Sequence, residues 1–160
     1  MAHPWPQGFE SEFFSPDEFD HPDLMDPGYI KNLDMLRMRC GFAVRINDDA
    51  RTRAELEHLY RKEIAKGQKW PSDSAHAGED EHGEPLPQAV RASDIEPVPG
   101  SHPTLTYEEM ELELLYQILR MWKEGHWPKL GLGVETGHLH VDDTPRLGSR
   151  RPAFWVAVSR

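Results

Sequence analysis

Apolar residues along this chain recur in two rhythms, one helical and one strand-like, and glycine and proline punctuate the breaks. Pro27 opens a helix that runs to about Arg39, with Ile30, Leu33, Leu36 and Met38 on its apolar face and Gly41 as its stop. Phe42 to Ile46 alternates and predicts a strand, followed by a turn at Asn47-Asp48-Asp49 that ends at Arg51. Thr52, with Glu55 at capping-box spacing, opens a second helix with the stripe Leu56, Leu59, Tyr60 and Ile64, and Gly67 ends it. Residues 68–88 hold Pro71, Gly78, Gly83, Pro85 and Pro87 and almost no periodicity, which predicts a long loop of the kind that is commonly functional. Ala89 to Val98 resumes a strand-like pattern closed by Pro97 and Pro99. Thr106 caps a third helix, with Glu109 completing a capping box. Met110, Leu114, Leu115, Ile118, Leu119 and Trp122 give that helix the strongest period in the chain, which marks core rather than a ligand site. Gly125 to Pro128 breaks it, and Gly131 to Val134, Leu139 to Val141 and Phe154 to Val158 read as short strands. The predicted class is α+β: a small, mostly antiparallel sheet packed with about three helices.

Ahead of the first helix, residues 1–26 are rich in Pro, Asp and Phe and predict an extended N-terminal arm. Ser15-Pro16-Asp17-Glu18 predicts a single turn there, and Phe13, Phe14 and Phe19 pin the arm to a single-domain body, residues 27–160. The length of 160 residues suits one domain with one sizeable core. The net charge of -10 argues against a nucleic-acid binder, because phosphate neutralisation needs clustered Lys and Arg. The dense acidic patch Glu79-Asp80-Glu81 reads as a solvated loop. Cys40 is the only cysteine, so no intrachain disulfide forms, and its place at a helix end predicts a small buried residue rather than a nucleophile. No apolar run approaches the roughly 20 residues of a membrane span. The start, Met1-Ala2-His3-Pro4-Trp5-Pro6, lacks the basic and apolar regions of a secretory signal, so the expectation is synthesis in the cytoplasm and release by other means.

Candidate chemistry sits in three segments: Ser74-Ala75-His76, then Ala92-Ser93-Asp94-Ile95, then Glu135-Thr136-Gly137-His138-Leu139-His140-Val141-Asp142. Two histidines and one aspartate suit a catalytic zinc site, because they leave a fourth position for water. His76 alone is an ordinary solvent-facing loop histidine. Asp94 lies in an apolar stretch where an unpaired carboxylate is costly, so it needs a metal or an arginine such as Arg91 or Arg51. His138 and His140 lie two apart and share one face of a strand, so that both reach one site with Leu139 turned to the core, or else they are two exposed histidines on a surface strand. Glu135 can accept and return a proton beside a metal-bound water, or is an exposed glutamate at a strand end. Arg51 can clamp a carboxylate, or else serve a surface ion pair. Asp142 can orient His140 or support the terminal strands, while Asp48, Asp49 and Asp143 serve turns.

These residues resemble the zinc D-Ala-D-Ala carboxypeptidase and L-alanyl-D-glutamate endopeptidase family, which shares its fold with the hedgehog signalling domain. The matching pieces are Arg51 after Asn47-Asp48-Asp49-Ala50, the Ser74-Ala75-His76 and Ala92-Ser93-Asp94-Ile95 segments, and the run from Gly131-Leu132-Gly133-Val134 to Asp142. Phe14-Ser15-Pro16-Asp17-Glu18-Phe19 is similar to the start of small phage and bacterial members. The resemblance implies a hedgehog/DD-peptidase-like fold over residues 27–160, with His76, Asp94 and His140 as zinc ligands. It further implies Glu135 as general base, His138 as the group that polarises the tetrahedral intermediate, and Arg51 as a substrate holder. Three departures accompany it. A loop from Ala77 to Arg91 separates the first histidine from Asp94, as a lid, a substrate wall or a decayed motif. Glu135 stands where the late pattern has a tyrosine, and His82 competes with His76 as first ligand. The expectation is a zinc-dependent peptidase acting on peptidoglycan stem peptides, with no nucleic-acid partner and no membrane insertion, working at the bacterial wall after release or as a phage component. The alternatives are a catalytically inactive metal-binding or wall-binding member of the same fold, and an acidic adaptor without metal.

Overall fold

The structure is a computed structural model that describes residues 3–67, 70 and 74–157. Residues 68, 69 and 71–73 of the expected loop, and Val158 of the expected last strand, lie outside the described residues. The sheet has five strands: β1 (Val44–Asp48), β2 (Ala92–Pro97), β3 (Leu130–Glu135), β4 (His138–Asp143) and β5 (Ala153–Ala157). Their spatial order is β1-β2-β4-β3-β5, antiparallel at every junction except β3 with β5. Four α-helices join them among the described residues: α1 (Pro27–Cys40), α2 (Arg53–Leu59), α3 (Arg61–Ala65) and α4 (Tyr107–Lys123). The fold is α+β. No described helix is long and apolar enough to cross a membrane.

Register divides the sheet into two chemically different faces, since alternate residues of a strand point to opposite sides. On one side the paired rows Ile95–Leu139–Val134–Val156 and Ser93–Val141–Leu132–Phe154 cross β2, β4, β3 and β5. The inner members of these rows join the core with Ile30, Leu33 and Leu36 of α1 and Met110, Leu114 and Ile118 of α4. On the other side lies the row Asp94–His140–Gly133–Trp155, with Asp142 and Gly131 paired beside it. Tyr29 of α1 is fully buried and donates its hydroxyl to the Val141 carbonyl at 2.9 Å while bonding Ser93 Oγ at 2.8 Å, so one phenol fixes the helix against β2 and β4. Arg91 provides a second tie, holding Asp26 at the start of α1 at 2.6 Å and Asp143 at the end of β4 at 2.7 Å.

Several sequence expectations shift in detail. The second helix breaks at Tyr60 into α2 and α3, so Leu59 is exposed rather than part of a continuous stripe. Met38 and Leu119 also point to solvent, because each lies on the side of its helix turned away from the buried face. Asp48 belongs to β1 instead of a turn; Asp49 is buried and accepts from the backbone N–H groups of Asp20 and His21; Asp143 is buried against Arg91 and the Lys129 N–H. Thr52 and Glu55 form the full capping box, whereas Glu109 accepts from the Thr106 hydroxyl and not from its backbone. Cys40 is buried and burial pushes its thiol up to about 12, in keeping with an inert core position.

The arm is packed rather than simply extended, with 3-10 turns at Pro16–Glu18 and Pro22–Leu24. Phe14 and Phe19 enter the core and meet edge to face, while Phe13 is exposed and covered by the Arg37 guanidinium 5.4 Å from its ring centre. His21 secures the arm to α2 by bonding Glu55 at 3.0 Å. Burial opposes charge on His21, but Glu55 outweighs it and raises the imidazole above 6.5. Burial likewise opposes charge on Glu55, yet the Thr52 N–H and His21 lower its carboxyl below 4.5. The His21 contribution is therefore complete below its unfolded value and lost as pH rises through its folded one, while the Glu55 contribution is lost as pH falls. Histidine NMR is expected to give His21 a midpoint above 6.5 that falls toward that value in Glu55→Gln; an unchanged midpoint refutes the coupling.

Candidate metal centre

Asp94, at the middle of β2, is paired in register with His140 of β4, so the sheet itself sets these two side chains side by side. His76 arrives from outside the sheet. The Arg51 N–H donates to the His76 carbonyl at 2.7 Å and the Gly78 N–H to the Arg51 carbonyl at 3.0 Å, which lays the segment 76–78 along residue 51. Gly78 suits this crossing, since a Cβ there would lie 3.3 Å from the Arg51 carbonyl oxygen and 3.1 Å from Leu24, tight enough that its neighbours would have to shift. All three side chains are buried.

Three atoms converge. His76 Nε2 lies 3.2 Å from His140 Nδ1 and 3.3 Å from Asp94 Oδ1, and His140 Nδ1 lies 3.1 Å from Asp94 Oδ1. A tetrahedral ion with bonds of about 2.0–2.1 Å separates its ligands by about 3.3 Å, so the triangle has the dimensions of one face of such a polyhedron. The far side of each ring fixes its tautomer. His76 Nδ1 lies 2.7 Å from the Asp49 carbonyl oxygen, which can only accept, so that nitrogen carries the proton. His140 Nε2 meets Asp142 Oδ2 at 2.7 Å and is a donor for the same reason. In the neutral rings, two nitrogen lone pairs and a carboxylate oxygen thus face one another with no donor between them. A cation resolves that arrangement. These three residues can hold a metal ion.

Asp142 is fully buried and gripped by Arg151, with Nε 3.0 Å from Oδ1 and Nη2 2.9 Å from Oδ2. This guanidinium–carboxylate–imidazole chain is the usual way a protein orients a ligating histidine. Burial works against the charge on Asp94 and Asp142, but the imidazoles beside Asp94, and His140 with Arg151 beside Asp142, keep both carboxyls below the usual carboxylate range. Burial also disfavours an imidazolium at His140, yet Asp142 and Asp94 outweigh it and hold the ring up at about 9. A proton and a metal ion consequently compete for His140 Nδ1.

Asp94 needs a partner, and neither candidate arginine supplies it: Arg91 is spent on Asp26 and Asp143, and Arg51 is bound by Asp48 through Nε at 3.1 Å and through Nη2. Asp142 does both jobs foreseen for it, orienting His140 and, through Arg151, tying β4 to the segment before β5. His82 is exposed near Glu81 and stands in none of the described clusters with metal-ligand geometry. Glu135 and His138 close the β3–β4 hairpin across a two-residue turn, where Gly137 takes φ 84°. That pairing brings His138 Nε2 to 2.6 Å from Glu135 Oε2, and His138 Nε2 stands 3.5 Å from Asp94 Oδ2. Asp94, Glu135 and His138 form an adjoining, more open group. Beside the triangle lies a cleft of about 290 Å³ lined by Arg51, Tyr60, Glu135, Arg151 and Trp155 as well as the three converging residues.

Arg151, Trp155 and Tyr60 are cleft residues that the sequence reading did not find. A signal existed in Gly131-Leu132-Gly133. A Cβ at Gly133 would lie 2.5 Å from the Trp155 ring, and one at Gly131 would meet Asp142 Oδ2 and lie 2.7 Å from Arg151 Nε. The two glycines leave bare backbone that the indole and the guanidinium approach closely. No protein-family model matches the chain, and no curated protein or solved structure matches it either.

The geometry predicts one tightly held divalent ion per chain. His76→Ala, Asp94→Ala and His140→Ala are each expected to remove it, and His82→Ala to retain it, by elemental analysis after dialysis. Gly131→Ala keeps every ligand but crowds Asp142 and Arg151, so metal affinity is expected to fall about 10–100-fold, as when an orienting partner is lost. Parent affinity in Gly131→Ala sinks the orienting role, and stoichiometric metal in His140→Ala sinks the ligand set.

Proposed function

We propose that the chain is a zinc-dependent peptidase that hydrolyses peptide bonds in peptidoglycan stem peptides. The observation that carries this reading is the triangle of two imidazole nitrogens and one carboxylate oxygen, open on one side to a cleft that also holds Glu135. Two histidines and one carboxylate, without thiolate, form a donor set that suits zinc, and three ligands characterise catalytic rather than structural sites. Zinc in such a set supplies Lewis acidity and a water acidified to near neutrality.

The chain's own residues supply the remaining steps. Glu135 borders the cleft with one carboxylate oxygen on His138 and the other 3.4 Å from the Trp155 indole N–H. Held in that way, it can take a proton from a water in the cleft and return it to a leaving amine. His138 donates toward Glu135 from beside Asp94, where its N–H can turn to an oxyanion as charge develops on the scissile carbonyl. Arg51 lines the same cleft, and Asp48 fixes the plane of its guanidinium, which suits recognition of a substrate carboxylate. Stem peptides carry such carboxylates, and the resemblance of the three segments to the zinc carboxypeptidase and endopeptidase family favours them over other peptides.

The decisive experiment separates proton transfer from metal holding. Glu135→Gln keeps size and hydrogen bonding but cannot accept a proton. It is expected to bind zinc as the parent does and to release wall peptide fragments about 10²–10⁴-fold more slowly, measured by liquid chromatography and mass spectrometry. His138→Ala is expected to retain zinc and lose rate. Equal turnover in Glu135→Gln and the parent eliminates Glu135 as the base. A zinc-loaded parent that releases no fragment from any wall preparation overturns the peptidase reading and leaves a metal-binding wall or virion component.

A further inference from the structure

The outer face of α4 carries a pattern that the fold of one chain uses only in part: Leu115 and Trp122 pack against the core, and Arg120 meets Glu124 at 3.3 Å, while Leu112, Tyr116 and Leu119 remain exposed. Met110, Leu114, Gln117, Ile118 and Met121 form the buried face. Around the side, two rows run at four-residue spacing, Glu108–Leu112–Tyr116–Arg120 and Glu111–Leu115–Leu119–Lys123. Each row begins with a carboxylate, continues with two apolar residues and ends with a cation. Leu112 is 67% exposed, Tyr116 56% and Leu119 37%, an unusual concentration on one helix. Tyr116, Leu119, Arg120, Lys123 and Glu124 border a shallow hollow of about 710 Å³, with Glu124 held by Arg39 at 2.6 Å and by Arg120 at 3.3 Å. The apolar surface continues past the helix end, where Trp122 meets Phe154 of the edge strand β5 with ring centres 5.3 Å apart. Phe154 and Val156 lie on the α4 side of β5 and remain exposed. A contiguous apolar surface of this kind marks an interaction site.

We propose that this face pairs with the same face of a second copy of the chain, α4 against α4, antiparallel about a two-fold axis near Leu115 and Tyr116. The charge pattern selects this occupant. Reversed onto itself, it sets Glu108 opposite the partner's Lys123 and Glu111 opposite the partner's Arg120. It also sets Leu112 opposite the partner's Leu119, and Leu115 opposite the partner's Tyr116. A parallel pairing would set like charges together, which is costly at an interface. Only a sequence read backward along the same helix meets every position of both rows, and a two-fold contact is self-complementary in this sense. The helix ends agree, since the acidic first turn of each α4 meets the basic last turn of the other. Because α4 covers the sheet face opposite the row of Asp94 and His140, pairing leaves both clefts open.

Sedimentation velocity of the full chain tests the pairing, over about 1–100 μM and at about 0.15 M salt. A dimer is expected for the parent. Glu108→Lys with Glu111→Lys, and separately Arg120→Glu with Lys123→Glu, are each expected to weaken it at least tenfold (about 1.4 kcal/mol). An equimolar mixture of the two variants is expected to restore a dimer, because the reversed charges then complement one another. Circular dichroism and metal content establish that each variant is folded. Should either double variant misfold, Leu112→Asp at its exposed position replaces it, with a monomer expected. A parent that stays monomeric over the whole range overturns the proposal. So does a mixture of folded variants that stays monomeric, or a dimer that neither charge reversal nor Leu112→Asp weakens.

Discussion

Two buried carboxylates on either side of one imidazole set the terms for the rest of this structure. Asp94 and Asp142 both reach the His140 ring, and both are removed from solvent. Each costs on the order of several kcal/mol to desolvate, so the surroundings must return that energy. Arg151 does so for Asp142 with a two-point contact. For Asp94 the described protein groups are imidazoles, and in their neutral forms the tautomers point lone pairs at it. A proton on His140 Nδ1 or a bound cation balances that oxygen, and the cleft lies beside it.

The sheet makes this affordable by separating its two faces. One face is apolar and packed under α1 and α4; the other carries the charged row, with glycines where the larger groups pass. A slip of one residue in β4 would exchange Leu139 and Val141 for His138, His140 and Asp142, burying charge under helices and exposing apolar side chains. Tyr29 and Arg91 guard against it near the C-terminal end of β4, one through the Val141 carbonyl and the other through Asp143. Arginine is used in this chain chiefly to hold carboxylates: Arg91, Arg51 and Arg151 each fix an aspartate. Of these pairs, Arg51 and Arg151 line the cleft, each already held by an aspartate.

The class of fold was legible because its signals are local. Capping residues, glycine stops and apolar periods placed α1, α4 and the hairpin strands, each to within a few residues. The break at Tyr60 was not legible, because the stripe of Leu56, Leu59, Tyr60 and Ile64 continues through it in sequence. In the site, His138 and His140 could be placed on one face from their spacing alone, and Glu135 beside His138 follows from a two-residue turn. Asp94 could be recognised as needing a partner from its apolar surroundings. Arg151 and Trp155 could not be joined to the site in the same way, since their contacts depend on the parallel pairing of β5 with β3.

By itself the sequence determined the residue types, the periods and the strand faces: which side chains share a side, which helix is the core helix, and that zinc-type donors exist without thiolate. These follow from geometry that repeats every two or 3.6 residues and needs no knowledge of the rest of the chain. Only the tertiary structure decided that His76 and not His82 meets Asp94 and His140, that Arg91 and Arg51 pair with aspartates other than Asp94, and that α4 leaves Leu112, Tyr116 and Leu119 exposed. Distances between residues dozens of positions apart are set by strand order and by the crossing of segment 76–78 over residue 51, and no local period encodes either one.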